Sequence, residues 1–183
     1  MRLFIGIPLP GAYQRGLAGL RARLAPRMLS RVSWTREGNW HVTLKFLGEV
    51  GEGRVEAVAE ALACVRLTCF TLRAGGAGFF PNMRSPRVFW AGLVQGAGEC
   101  AAWAETIETA MEGLGFTREG RPFRPHLTLA RIKEARRDDW EALRREAEDV
   151  EWPEARIEAA VLWRSRLGPG GPAYEPLRQV EAS

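Results

Sequence analysis

A short pattern that occurs twice is the feature that most restricts how this chain can fold. Segments 41–44 (HVTL) and 126–129 (HLTL) both read His, apolar residue, Thr, Leu, and they contain the only two histidines. With eight Thr in 183 residues, chance would place Thr two positions after both histidines in only about one of 500 such sequences. The two segments lie nearly half a chain length apart. The repeat therefore predicts two related lobes, each contributing one such segment.

The hydrophobic pattern around the repeat mixes strands and helices in an irregular order. Strands are predicted at 2–8, 40–47, 67–73, 87–94, 126–132, 156–163 and about 173–180. Helices are predicted at 12–24, 55–65 and 100–114, with one more beginning at Asp138 or Asp139. A strictly alternating order would have indicated a parallel sheet, so this pattern predicts an α+β fold.

Composition excludes several classes of protein. No apolar run approaches the roughly 18 to 20 residues of a membrane span. The apolar opening at 1–13 lacks a convincing cleavage site, and we expect a buried first strand rather than an export signal. The three cysteines, at 64, 69 and 100, are odd in number and form no C-x-x-C, so neither a disulfide set nor a metal framework is indicated. A reducing cytoplasm is the expected location.

Positive charge is concentrated near the second motif. The chain carries a formal net charge of +4, yet residues 117–137 contain six Arg and one Lys against only two Glu. Such a local excess predicts that an anion binds in this region.

The spacing within each motif brings His and Thr side chains together. In a strand, residues i and i+2 point to the same face about 6.6 to 7 Å apart. His41 therefore shares a face with Thr43, as His126 does with Thr128, and the same alternation puts Lys45 on the face of His41. If the two strands are neighbours, two imidazoles and two hydroxyls converge on one cleft.

Such a cleft suits a phosphate group. Thr hydroxyls can donate hydrogen bonds to phosphate oxygens, and two imidazoles near neutral pH can act as general acid and general base. A zinc site is the competing functional interpretation, but no Asp, Glu or Cys stands at ligand spacing to complete it. The structural alternative is that each His is only a strand residue held by a neighbouring hydroxyl. The duplication favours the catalytic interpretation.

With these residues in view, the chain resembles the two-histidine phosphoesterase superfamily, and within it the RNA 2′,3′-cyclic phosphodiesterases, also called 2′-5′ RNA ligases. The resemblance extends over essentially the full chain. It is carried, in order, by RLFIGI, HVTLKFLGEV, PRVFWAGL, RPFRPHLTLARI and SRLGPGGPAYEPL.

The resemblance implies one bilobal domain over residues 1–183, with two pseudo-symmetric lobes of antiparallel sheet, outer helices and a central cleft. It implies hydrolysis of a terminal 2′,3′-cyclic phosphate to a 2′-phosphate, with reversible, ATP-independent 2′-5′ joining of RNA ends as a second activity. In that reaction His41 would protonate the leaving 3′ oxygen and His126 would activate water. The charge near His126 favours its neutral form, whereas protonation of His41 is less opposed.

Arg131 matches a family arginine implicated in phosphate binding, and Thr43 and Thr128 are expected to bind substrate with it. Strict alternation would point Arg131 away from the face of His126, unless a bulge re-aims it. The expected partners are RNA ends with a 2′,3′-cyclic phosphate, tRNA fragments among them. No cofactor, metal, membrane or obligate protein partner is expected.

Two alternatives stay open at the level of sequence. One is another cyclic phosphodiesterase of the superfamily, acting on ADP-ribose cyclic phosphate or on 2′,5′-oligoadenylate. The other is a non-catalytic RNA-binding module that uses the basic segment and the cleft.

Overall fold

The computed structural model describes residues 1–168 and 171–183, and these residues form nine strands and four α-helices. The strands are β1 (Arg2–Pro8), β2 (Arg31–Trp34), β3 (His41–Glu49), β4 (Phe70–Phe80), β5 (Val88–Gln95), β6 (Leu127–Glu134), β7 (Ala155–Ile157), β8 (Ala159–Gly168) and β9 (Gly171–Glu181). The helices are α1 (Gly11–Leu24), α2 (Val55–Ala63), α3 (Ala97–Glu112) and α4 (Trp140–Glu148). Pro169 and Gly170, within the closing segment that carries the resemblance, lie outside the described residues.

The predicted α+β class is confirmed, and every strand pairing among the described residues is antiparallel. The predicted buried first strand is β1, in which Leu3, Ile5 and Ile7 are completely buried. The predicted cap of the last helix is also present, since the Asp139 carboxylate accepts a hydrogen bond of 3.0 Å from the Ala142 backbone N–H. No helix of the described ranges is long and apolar enough to cross a membrane.

The largest difference from prediction is in β4, which continues to Phe80 instead of ending near residue 73. Its glycine-rich second half was expected to be a loop. It stays in the sheet because side chains of β5 lie over the glycines: a Cβ on Gly78 would lie 2.5 Å from the Trp90 ring, and one on Gly75 would lie 2.6 Å from Val94. The short strand β2 was not predicted, and the strand predicted at 156–163 is divided into β7 and β8 at Glu158.

The strand order places the two motif strands at the centre of one sheet. The order is β7-β4-β5-β6-β3-β1-β8-β9, and β2 pairs with β6 as well. The motif strands β3 and β6 meet at the pair of Val42 and Leu127. One half contains β6, β5, β4 and β7 together with β2, and the other contains β3, β1, β8 and β9, so the predicted related lobes correspond to the two halves of one sheet. That these halves form a single functional domain stays a prediction.

Packing separates the two faces of the central strands. Along β3, Val42 and Leu44 are buried, whereas His41 and Thr43 are only half-buried. α3 packs against β3 and α4 against β4, so the buried side chains of the sheet meet those of the helices. The opposite face of the two central strands is therefore free to form a cleft.

Candidate active site

Both motif histidines stand where their strands begin, and each is held in the same way. His41 is the first residue of β3, and its Nδ1 lies 2.7 Å from the carbonyl oxygen of Asn39. β6 begins at Leu127, one residue later than predicted, so His126 comes directly before it. Nδ1 of His126 lies 2.7 Å from the carbonyl oxygen of Arg124. A carbonyl oxygen only accepts, so Nδ1 carries the proton and donates. In the neutral form of each ring, Nε2 is therefore the nitrogen available for chemistry.

The five residues predicted for the site lie around one cleft of about 120 Å³, and they are His41, Thr43, His126, Thr128 and Arg131. Nε2 of His41 lies 2.9 Å from Oγ1 of Thr43, the neighbouring hydroxyl of the same motif. Among the described residues that line this cleft none is acidic, and Arg36 contributes a second guanidinium beside that of Arg131. The cleft is thus suited to an anion.

A β-bulge directs Arg131 into the cleft. Between β5 and β6, Trp90 lies opposite Thr128 and Phe89 lies opposite Ala130, so Leu129 is an extra residue in β6. Leu129 and Ala130 are consequently both buried, and Arg131 becomes exposed on the cleft side. The bulge therefore brings Arg131 to the cleft, as the resemblance implied, although strict alternation would have pointed it away.

A similar β-bulge in β3 shows that Lys45 does not lie on the face of His41, so that expectation was wrong. Gly6 of β1 lies opposite Thr43 and Ile5 lies opposite Lys45, so Leu44 is the extra residue. Lys45 therefore turns away from His41 into the protein. Its Nζ donates to a carboxylate oxygen of Glu108 on α3 at 2.6 Å and to the carbonyl oxygen of Thr117 at 3.1 Å.

Phe46 takes the cleft position that Lys45 was expected to hold, and the sequence interpretation missed it. Its side chain lines the cleft, and the residue is 60% exposed. When HVTLKF and HLTLAR are aligned, Phe46 falls at the position of Arg131. That alignment was the available signal, since equivalent bulges would bring both residues to the same cleft.

Aromatic side chains also surround the imidazoles. The ring centroids of Phe4, Trp163 and Tyr174 lie 4.8, 5.5 and 5.3 Å from that of His41, and Tyr174 meets it edge-on. Phe80 meets the His126 ring edge-on at 5.0 Å. These rings remove water from the histidines and restrict their orientation.

Burial dominates the electrostatics of both histidines. It lowers the pKa of His41 to about 4, assisted by the positive charges of His126 and Arg131 and opposed by the bond to the Asn39 carbonyl. Burial also lowers the pKa of His126, with a contribution from Arg131. Both rings are consequently neutral at pH 7 in the free protein. The expectation from local charge, that protonation of His41 is less opposed, was wrong because it ignored desolvation.

The donor set around the cleft gives no obvious metal centre. Within the described ranges, no three His, Cys, Asp or Glu side chains are grouped as a metal ion requires. Each His Nδ1 is already occupied by a carbonyl oxygen.

Comparison with known proteins places this geometry in a family. The LigT-like phosphoesterase family pattern matches two segments of the chain, residues 7–90 and 93–174. The chain is 39% identical over 146 residues to an RNA 2′,3′-cyclic phosphodiesterase of Aeropyrum pernix, a match that covers 79% of this chain and 83% of the relative. It is 33% identical over 181 residues to the protein of the same name from Archaeoglobus fulgidus, covering 99% and 100%.

Solved structures agree with the sequence relatives. The protein TT0787 of Thermus thermophilus superposes with a TM-score of 0.79 at 30% identity, covering 99% of this chain and 97% of that one. Escherichia coli LigT complexed with 3′-AMP gives a TM-score of 0.79 at 28% identity, covering 100% and 98%. On the strength of the matched segments, the full-length relatives and the shared fold, this chain belongs to the LigT-like phosphoesterase family.

Proposed function

We propose that the protein hydrolyses the terminal 2′,3′-cyclic phosphate of RNA to a 2′-phosphate. The observation that carries the proposal is the pairing of two histidines, each with Nδ1 bonded to a carbonyl oxygen, across one cleft that also contains Arg131. The names of the relatives from Aeropyrum pernix and Archaeoglobus fulgidus support RNA as the substrate.

The chemistry assigned to the histidines follows from their Nε2 atoms, which carry no proton in the neutral rings. Nε2 of His126 takes a proton from water as the water oxygen attacks phosphorus. The bond from phosphorus to the 3′ oxygen breaks, and Nε2 of His41 supplies the proton that this oxygen needs. One proton is taken and one is given, so the next turnover requires a proton to return from His126 to His41 through solvent.

The low pKa of free His41 is compatible with its role as the acid because the substrate is an anion. A phosphodiester bound beside the ring favours the imidazolium and raises the pKa of His41 in the complex. Arg131 would hold phosphate oxygens with two parallel N–H groups, and the hydroxyls of Thr43 and Thr128 would donate to the remaining oxygens. The exposed ring of Phe46 offers a surface on which the terminal base can stack.

Ligation of RNA ends through a 2′-5′ bond is a second candidate activity. The same histidines would catalyse it in the same roles, with a 5′-hydroxyl in place of water: His126 takes the proton of this hydroxyl as its oxygen attacks phosphorus, and His41 protonates the 3′ oxygen that leaves. We also propose that the protein acts in the cytoplasm on RNA fragments, tRNA fragments among them.

A substrate panel tests the proposed function. Equal concentrations of a 2′,3′-cyclic phosphate RNA, ADP-ribose cyclic phosphate and 2′,5′-oligoadenylate are incubated with the protein in EDTA, because the proposed chemistry uses no metal. We expect the cyclic phosphate RNA to give the highest kcat/KM and a 2′-phosphate product, identified by ³¹P NMR. A higher kcat/KM on either alternative would contradict the substrate assignment, and binding without turnover of any would favour a binding module.

A further inference from the structure

A row of aromatic rings leads from His126 out of the cleft across β4 and β5. Phe80, the last residue of β4, lies edge-on to His126 with ring centroids 5.0 Å apart. The Trp90 ring follows, 5.1 Å from that of Phe80 and tilted by 31°. Trp90 also lies opposite Thr128 in the sheet, so its side chain is on the cleft side.

The sheet is shaped to hold the Trp90 ring against its surface. A Cβ on Gly78 would lie 2.5, 2.8 and 3.1 Å from three carbons of this ring, and one on Gly92 would lie 3.4 Å from a fourth. Only glycine leaves room for one face of the ring to rest on the strand backbone. Phe80 and Trp90 are both half-buried, so each keeps part of its surface in contact with solvent.

The charge of this hairpin complements a nucleic acid. Between residues 70 and 95 the chain has three arginines, Arg73, Arg84 and Arg87, and no Asp or Glu. The opposite flank of the cleft is less basic, because β8 and β9 carry three arginines against Glu175 and Glu181, and Glu175 is paired with Arg166 at 2.8 Å. A polyanion leaving the cleft therefore meets a larger excess of positive charge over β4 and β5.

We propose that Phe80 and Trp90 form a stacking surface for the base of the nucleotide that precedes the terminal one in single-stranded RNA. The inference rests on the proposed function and extends it to a second nucleotide. Aromatic rings bind every base through its π-face, so the surface would act without sequence preference. The two rings continue directly from His126, and residues 70–95 contain no Asp or Glu. Both features favour RNA over a protein partner for this surface.

The test compares substrates that differ by one nucleotide. The readout is the ratio of kcat/KM for a dinucleotide ending in a 2′,3′-cyclic phosphate to kcat/KM for the corresponding nucleoside cyclic phosphate. Trp90→Leu should lower this ratio about tenfold, because stacking of one base on an aromatic ring is lost. Trp90→Phe retains an aromatic face and should keep most of the ratio. Phe46→Leu is the matched comparison, because it removes the proposed surface for the terminal base. The kcat/KM values for both substrates should fall by the same factor, so their ratio should stay at the wild-type value.

The outcomes separate this inference from the proposed function. Thermal unfolding establishes that each variant is folded before rates are compared. If the wild-type protein turns over both substrates and Trp90→Leu leaves the ratio unchanged, the second stacking surface is wrong while the proposed function stands. A change in sedimentation of Trp90→Leu with an unchanged ratio would assign the surface to self-association and also overturn the inference. If the wild-type protein hydrolyses neither substrate, both proposals fail.

Discussion

At the scale of single residues, the positions of His41 and His126 at the beginning of two strands suit the proton transfers that we propose for them. A backbone carbonyl two residues earlier accepts from Nδ1 of each ring, which orients the ring and leaves Nε2 without a proton in the neutral form. Burial keeps both rings neutral in the free protein, with the pKa of His41 lowered to about 4 and that of His126 also lowered. In the proposed mechanism, protonated His41 therefore forms mainly when the anionic substrate binds.

This arrangement predicts different pH profiles for the free protein and the substrate complex. kcat/KM reports the free protein, and it should fall as pH rises from 6.5 to 8, because both histidine pKa values lie below the ordinary 6.5 and the acid form becomes rarer. kcat reports the complex, where phosphate raises the pKa of His41, so its decline should begin at higher pH. Steady-state rates between pH 4 and 9 test both profiles. A kcat/KM that rises between pH 7 and 8 would contradict the proposed acid.

Arg131 is the second residue whose role can be tested alone. Arg131→Glu should weaken binding of a cyclic phosphate RNA by about tenfold to a hundredfold, the range for loss of hydrogen bonds to a charged group. Arg136 and Arg137 lie in the same basic segment and are also exposed, but the cleft does not include them. Arg136→Glu and Arg137→Glu are the charge-matched controls, measured by the Kd at constant salt. Equal weakening by all three would make Arg131 part of a diffuse electrostatic surface.

At the scale of secondary structure, the bulges in β3 and β6 decide which residues reach the cleft. The sequence predicted that His and Thr share a face in each motif, because that requires only local strand alternation. It placed Lys45 on the wrong face and did not identify Phe46 as a cleft residue. The extra residue in β3 is defined by pairing with β1, which precedes it by more than thirty residues, and β3 alone carries no sign of it. Arg131 lines the cleft, as the resemblance implied and strict alternation did not, while its role in phosphate binding stays a prediction.

The bulge in β3 also creates a buried ion pair that can be tested by stability. The Lys45 and Glu108 side chains are only 3% and 12% exposed, and their charges are 2.6 Å apart. Lys45→Met or Glu108→Leu alone should lower the free energy of unfolding by about 3 to 5 kcal/mol, because the remaining charge is buried without a partner. The double variant should recover most of that loss. Urea denaturation of the four proteins measures the coupling, and additive effects of the two substitutions would contradict a coupled pair.

At the scale of the whole molecule, the halves of the sheet each contain strands from both halves of the chain. β4 lies beside β5 in one half of the sheet, whereas β8 returns to pair with β1 in the other. The repeated motif predicted two related units, and the irregular order of strands and helices predicted the α+β class. It did not predict this exchange of strands, because hydrophobic periodicity identifies strands without identifying their partners. The exchange brings both motifs to the centre of one sheet.

The exchange predicts that neither half of the chain folds independently. Residues 1–83 lack the partner β8 of β1, and residues 84–183 lack the partner β4 of β5, so each fragment would expose apolar strand edges. Neither fragment should give a cooperative thermal transition by circular dichroism, whereas the full chain should. A cooperative transition in either fragment would mean that its half of the sheet is stable without the exchanged strands.

The central claim is that His41 and His126 act together on a cyclic phosphate, and their replacement tests it most directly. The measurement is the rate of hydrolysis of an RNA ending in a 2′,3′-cyclic phosphate by the wild-type protein, His41→Ala and His126→Ala, with Leu29→Ala as a control at an exposed position. Each histidine variant should remain folded and lose about 10² to 10⁴ in rate, the usual contribution of a general acid or base. The control should retain the wild-type rate. A rate near that of the wild-type protein in either histidine variant would contradict the two-histidine mechanism.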